Sequence, residues 1–179
     1  MMKSSLSDKS DSNEKDKEKA RQAALRKLSL RDRTEKEIED VLFEHGCTRQ
    51  EAAEILEEFR QWGYLNDEKY CLTYYKYSKG KGKALSRITG ELVQKGIPAE
   101  KVRRAFEDAG CSEDDDRSTA LSVGTKMAKS QAELGKPLDE KFLSRVGRRL
   151  SYLGYDSGTC YFVMGKIRNY AKEIEREYE

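Results

Sequence analysis

The sequence predicts an all-α protein: three tandem three-helix repeats stacked into an elongated, curved body, behind a disordered polar tail. Three observations carry that prediction. Apolar residues recur at steps of three and four, as in Ile38, Val41 and Leu42, in Ala52, Ile55, Leu56 and Phe59, and in Val102, Ala105, Phe106 and Ala109. Only two prolines, Pro98 and Pro137, interrupt 179 residues. The third observation is internal repetition. Gly46, Gly96 and Gly154 are each preceded at eight residues by Ile38, Ile88 or Val146, and at four by Leu42, Leu92 or Leu150. Two residues after each glycine comes a helix starter (Thr48, Pro98, Asp156), and then a second apolar stripe (Ala52/Leu56/Phe59, Val102/Phe106/Ala109, Cys160/Met164/Ile167). Each glycine therefore stops one amphipathic helix just before another begins.

Residues 1–17 alternate Ser, Asp, Lys and Glu and contain one non-Met apolar residue, Leu6. Such a segment buries too little surface to offset its ordering entropy and is expected to be disordered. The first repeat, 18–63, opens with a helix from Glu18 to Arg31. The second, 64–111, opens at Asn66 and Asp67, which can cap a helix running to about Lys79. The third, 112–179, opens at the acidic Glu113–Asp116 cluster, favourable at a helix N-terminus, and carries its extra length in a first helix ending near Leu134 and Gly135. One such repeat buries little by itself, so neighbours must stack.

Charged residues make up 38% of the chain and apolar ones 36%, with a mean hydropathy of −0.91; an ordinary domain is about 25% charged. The longest apolar stretch, Cys160 to Met164, is far short of the roughly 20 residues of a spanning helix, and the N-terminus has no apolar signal core. The reading is a cytoplasmic, monomeric protein with no membrane partner. The net charge of +2 hides a segregation: 11 acids against three bases from Thr34 to Glu68, nine bases against two acids from Lys76 to Arg104, and seven bases against one acid from Lys141 to Lys172. This sorting suits contact with nucleic acid or with a protein bound to it. Cys47, Cys71, Cys111 and Cys160 form no C-x-x-C, and His45 is the sole histidine, so the spacing supplies no zinc site and the cysteines read as small, buried, reduced thiols. No metal or cofactor is implied. His45, just before a helix stop, reads as a capping or surface residue, and no catalytic constellation is present, so the chain is expected not to be an enzyme.

Gly80-Lys81-Gly82-Lys83 lacks the G-x-x-x-x-G-K-[ST] spacing of a phosphate loop and reads as a flexible turn whose lysines stay in solvent. Lys79, Lys81, Lys83 and Arg87, with Arg103 and Arg104 after them, are either a solvated charged surface or a phosphate-tracking patch; the segregation of the acids favours the patch. Lys95, Arg145, Arg148, Arg149, Lys166 and Arg168 extend it. Tyr70, Tyr74 and Tyr77 share one helical face and are expected to pack, whereas Tyr75 points away from that stripe and is the candidate for stacking on a base or partner. Trp62 is expected to pack between repeats.

The block Gly63-Tyr64-Leu65-Asn66-Asp67 with Tyr70, then Lys79-Gly80-x-Gly82, Arg87-Ile88 and Glu91-Leu92-x-x-Lys95-Gly96-Ile97, resembles the RecX family of recombinase regulators. Ala24-Leu25 to Arg31-x-Arg33-Thr34-x-x-Glu37-Ile38 and Leu150-x-x-x-Gly154-Tyr155 are similar to that family's first and last units. The resemblance implies three repeated three-helix units and a non-enzymatic protein that binds the RecA recombinase and its filament on single-stranded DNA. Such proteins lie in the filament groove and mainly inhibit filament growth, ATP turnover and strand exchange in DNA repair, recombination and the SOS response.

Three functions remain open from sequence: a filament regulator that also contacts single- and double-stranded DNA without sequence preference, a helical DNA- or RNA-binding protein acting alone, and a helical-repeat adaptor for an unrelated partner. In the first, repeats two and three carry the contact surface, and Glu at Lys81, Lys83, Arg87 and Arg103 should abolish inhibition without unfolding the helices.

Overall fold

The computed structural model describes the backbone of residues 7–112 and 114–177, and the side chains of 14–112 and 116–172. Among the described residues every regular element is a helix: α1 (Ser7–Leu30), α2 (Glu35–Glu44), α3 (Arg49–Gln61), α4 (Asp67–Gly80), α5 (Leu85–Gln94), α6 (Ala99–Asp108), α7 (Asp114–Glu133), α8 (Glu140–Tyr152) and α9 (Ser157–Glu177). The expected tail boundary at residue 17 falls inside α1; residues 1–6 lie outside the described residues. Contacts along the described part of α1 support it from residue 16 onward. Lys19 pairs with Asp16 at 2.9 Å and Gln22 bonds Glu18 at 3.2 Å, contacts that stabilise a helix by a few tenths of a kcal/mol each, about 0.2–0.5. Lys17 reaches Glu54 of α3 at 2.8 Å, and the fully buried Ala20 and Ala24 moor α1 in the core.

The glycine anchors are structurally equivalent. Gly46, Gly96 and Gly154 have φ of 87°, 86° and 95°. The residue after each, Cys47, Ile97 or Tyr155, is buried and donates its N–H to the carbonyl of Leu42, Leu92 or Leu150 at 3.1, 3.3 and 3.2 Å, which closes the helix C-terminus. Those leucines, and Ile38, Ile88 and Val146 one turn earlier, are fully buried. Thr34, Thr48 and Asp139 cap the following helices through their side chains. Their cost on mutation differs with surroundings. An alanine at Gly46 meets only the left-handed strain, about 1–2 kcal/mol. At Gly154 the new Cβ also lies 2.5 Å from Arg87 Cβ and 3.3 Å from its backbone nitrogen. Gly154→Ala should therefore lower the melting temperature more than Gly46→Ala; equal shifts in thermal denaturation would contradict this packing.

Packing divides the chain into two compact units: Met1–Cys71 with Leu92–Val102, and Leu72–Glu91 with Arg103–Glu179. In the first, α1 packs on α2 and α2 on α3, around Ile38, Leu42, Ile55, Phe59 and Leu65. In the second, α7, α8 and α9 pack on one another, around Phe142, Leu143, Val146, Leu150, Val163 and Ile167. Ala120, Gly124 and Ala128 form a buried small-residue stripe along α7, so that a Cβ on Gly124 would overlap Val163 of α9.

The same joint occurs once in each unit. In the first, the Thr34 hydroxyl donates to the Lys95 carbonyl at 2.9 Å, and the Glu35 N–H donates to Asp67 Oδ1 at 3.0 Å. In the second, the Ala84 N–H donates to the Leu153 carbonyl at 2.9 Å, and the Leu85 N–H donates to Asp116 Oδ2 at 3.0 Å. Thr34 and Ala84 both stand twelve residues before their glycine, and Lys95 and Leu153 stand one residue before the next one. The start of each middle helix, α2 or α5, thus has an orphan donor satisfied by an aspartate from the first helix of the following repeat. The counter-cation differs. Lys101 meets Asp67 Oδ2 at 3.3 Å and Glu35 Oε1 at 3.0 Å, whereas Lys79 pairs with Asp116.

Candidate functional site

The lysine turn is part of the framework. Gly82 (φ 78°) is buried, the Lys83 N–H donates to the Ser78 carbonyl at 3.2 Å, and the Tyr155 hydroxyl donates to the Gly82 carbonyl at 2.9 Å. The turn expected to be flexible is held from both sides. Only one of its lysines is in solvent. Lys81 is exposed beside Tyr77. Lys79 is mostly buried on Asp116. Lys83 donates to both Glu91 oxygens, at 2.8 and 2.6 Å.

Glu91 collects three donors: Lys83, Arg87 Nε at 3.1 Å and the Tyr74 hydroxyl at 2.9 Å. Burial by itself pushes the Glu91 carboxyl up; the bonds from Lys83, Tyr74 and Arg87 together outweigh it and hold the group below the ordinary carboxylate range. A carboxylate depressed on folding contributes stability that is fully present above its unfolded value, about 4.3. That contribution is lost as pH falls through the lower folded value. Glu91→Gln should remove this part of the acid dependence, seen as a shallower fall in the urea midpoint between about pH 5 and pH 3. It also means that reversing Lys83 and Arg87 to Glu would set three carboxylates together and unfold the site it was meant to test.

Tyr75 and Tyr77 of α4 exchange their expected roles, while Tyr70 and Tyr74 are half-buried. Tyr77 is 60% exposed, and Tyr75 is half-buried with its ring 5.4 Å from that of Phe106. The buried stripe of α4 runs through Asp67, Cys71 and Ser78, small or polar residues that hydrophobic periodicity does not mark. It passes Tyr75 and misses Tyr77. Trp62 does not pack between repeats either. It caps α3 with 54% of its surface exposed and sits edge-on to Tyr64, with Phe59 beneath and the Arg21 guanidinium 5.5 Å from its ring. The indole lies beyond the last buried turn of α3. Cys47, Cys71 and Cys160 are buried and Cys111 is half-buried. Burial pushes the Cys71 thiol up to about 11, so it stays protonated at neutral pH. His45 is the exposed C-cap of α2, its Nδ1 2.8 Å from the Val41 carbonyl.

Of the predicted contact cations, three exposed arginines share α8. Val146 and Leu150 face the core, while Arg145, Arg148, Arg149 and Tyr152 stand on the opposite side at the i, i+3, i+4 and i+7 positions of a single stripe. Arg148 and Arg149 make no ion pair among the described residues. Arg145 bonds the Gln131 side chain at 2.7 Å and lies over the Phe142 ring. Tyr152, 61% exposed, is flanked by the guanidiniums of Arg149 at 5.7 Å and Arg87 at 4.5 Å from its ring centre. Tyr152 was not singled out from sequence, although its spacing from Arg145 and Arg149 on one helix was the available signal. On α9, Lys166 is exposed and flanks Phe162, which Arg117 of α7 approaches from 5.6 Å; no sequence signal joins residues on separate helices. Arg168 is held by Glu140 and Arg103 by Glu107, at 2.7 Å in each case. Arg104 is exposed, and Lys95 is half-buried beside the joint.

The motif residues are largely structural. Leu65, Leu92 and Ile97 are core, Asp67 and Gly96 form the joint and the helix stop, and Glu91 holds the Lys83–Arg87–Tyr74 cluster. Tyr64, at 55%, and Gly96 are the exposed members. Among the described residues no helix is long and apolar enough to cross a membrane.

Residues 20–59 match the family model "RecX, first three-helix domain". The chain is 30% identical over 149 residues to the regulatory protein RecX of Mycolicibacterium vanbaalenii, covering 82% of this chain and 79% of that protein. To the regulatory protein RecX of Geobacillus thermodenitrificans it is 29% identical over 162 residues, 89% of this chain. The chain spans only 58% of the length of that relative and 54% of the one from Oceanobacillus iheyensis. A crystal structure of RecX from Lactobacillus salivarius superimposes with a TM-score of 0.69 at 20% identity, covering 86% of this chain and 97% of that one, which supports the fold. The helical repeats, the glycine-stopped joints and these similarities together identify the chain as a member of the RecX family of regulatory proteins.

Proposed function

We propose that this chain regulates a RecA-type recombinase by binding its filament on single-stranded DNA and restraining filament growth, ATP turnover and strand exchange. The observation that supports this most is the outward stripe of α8, where Arg145, Arg148, Arg149 and Tyr152 carry positive charge and an aromatic face on a rigid helix. Guanidinium forks match phosphate or carboxylate oxygens, and tyrosine offers a surface on which a base stacks for about 1–3 kcal/mol whatever its identity. Arg104 and Lys81 add cationic contacts. Each is weak in water, but contacts linked on one folded chain gain effective concentration. The acidic first repeat offers complementary charge to basic patches on a protein partner. The reading is that of a cytoplasmic, monomeric binding protein without catalysis, touching single- and double-stranded DNA without sequence preference.

A titration of the DNA-dependent ATPase of a RecA recombinase, run beside a gel shift without recombinase, tests the proposal. Inhibition of the ATPase with weak binding to bare DNA is expected. Strong, salt-sensitive DNA binding with no effect on the ATPase would favour a nucleic-acid-binding protein acting alone, and neither effect would favour an adaptor for another partner.

A further inference from the structure

Between α7 and α9 of the second unit lies an apolar groove of about 200 Å³ that the regulatory reading does not use. Leu121, Thr125 and Ala128 line it from α7, at the i, i+4 and i+7 positions of one helix face, and Ile167 and Tyr170 line it from α9. Ile167 and Ala128 form its buried floor; Tyr170 is 46% exposed at its edge. A cavity of about 150 Å³ accepts a benzene ring, so the groove has room for one large apolar side chain. The remaining lining residues, Lys129 on α7 and Lys166 on α9, are both exposed and cationic, and among the described residues no acid lines the groove.

We infer that this groove binds a short acidic peptide segment of a partner protein, with one aromatic or branched aliphatic side chain seated over Ala128 and Ile167 and flanking carboxylates on Lys129 and Lys166. The two lysines select the sign of the peptide charge, and the apolar floor supplies the part of the affinity that charge alone does not. A nucleic acid strand would use the lysines but not the floor. Neither the groove nor its occupant depends on the recombinase reading.

The test uses the full chain and a fluorescein-labelled heptapeptide with a central phenylalanine between aspartates and glutamates, followed by anisotropy. Saturable binding is expected. Replacing the phenylalanine by alanine should weaken it at least tenfold, as should Lys129→Glu with Lys166→Glu. Thr125→Trp, which fills the groove from an exposed position and should leave the melting temperature unchanged, should do the same. An unlabelled single-stranded oligonucleotide should not displace the peptide. Equal binding of the phenylalanine and alanine peptides, binding unaffected by Thr125→Trp, displacement by the oligonucleotide, or no binding at all would each overturn the inference.

Discussion

Asp116→Ala should destabilise the second unit by about 3 kcal/mol, the cost typical of breaking a largely buried ion pair from one side. Asp116 and Lys79 side chains are only 14% and 13% exposed. Removing the carboxylate strands the Lys79 ammonium and also leaves the Leu85 N–H at the start of α5 without its acceptor. Lys79→Met should cost less, because Asp116 keeps the Leu85 bond. Asp116→Asn combined with Lys79→Met should recover most of the loss, since well-packed uncharged replacements of buried pairs are often nearly neutral. Urea unfolding of Asp116→Asn, Lys79→Met and the double variant, beside the parent chain, gives the cycle. Additive losses would mean that the pair is not coupled and that the joint is held by apolar packing alone.

The second large effect concerns activity. Glu at Arg145, Arg148 and Arg149 together should reduce inhibition of recombinase ATPase at least tenfold while leaving the melting temperature within about 6 °C, because exposed substitutions away from ion pairs usually change stability by less than about 0.5 kcal/mol each. Reversal of Lys79, Lys83 and Arg87 should do the opposite, lowering stability first, because those cations are bound to Asp116 and Glu91. If the α8 triple variant inhibits like the parent chain, the contact surface lies elsewhere.

The difference between these two sets shows what the sequence can and cannot carry. Glycine stops, capping threonines and the Ile/Leu stripe are local, and among the described residues they place every helix after α1 closely; α1 starts before the expected Glu18, in a stretch that apolar periodicity does not mark. The joints are not local. Thr34 and Ala84 occupy the same position with unlike side chains, one bonding through its hydroxyl and the other through its backbone, so no residue type signals the equivalence. For the same reason Lys79 and Lys83 look like a free patch in sequence: their acids, Asp116 and Glu91, stand 37 and eight residues away and reach them only in the fold, whereas the Arg87–Glu91 pair is an i,i+4 contact within α5 that the spacing already offers. The α8 arginines belong to the basic block visible in sequence, and what the fold adds is that they share one outward stripe with Tyr152.

The most direct measurement is the anisotropy of the labelled chain titrated with preassembled recombinase filaments on single-stranded DNA, and separately with the same DNA alone. The account predicts saturable binding to filaments at least tenfold tighter than to bare DNA, with the difference lost in the Arg145, Arg148 and Arg149 variant. Equal affinity for filament and bare DNA, or a filament affinity untouched by those three substitutions, would contradict it.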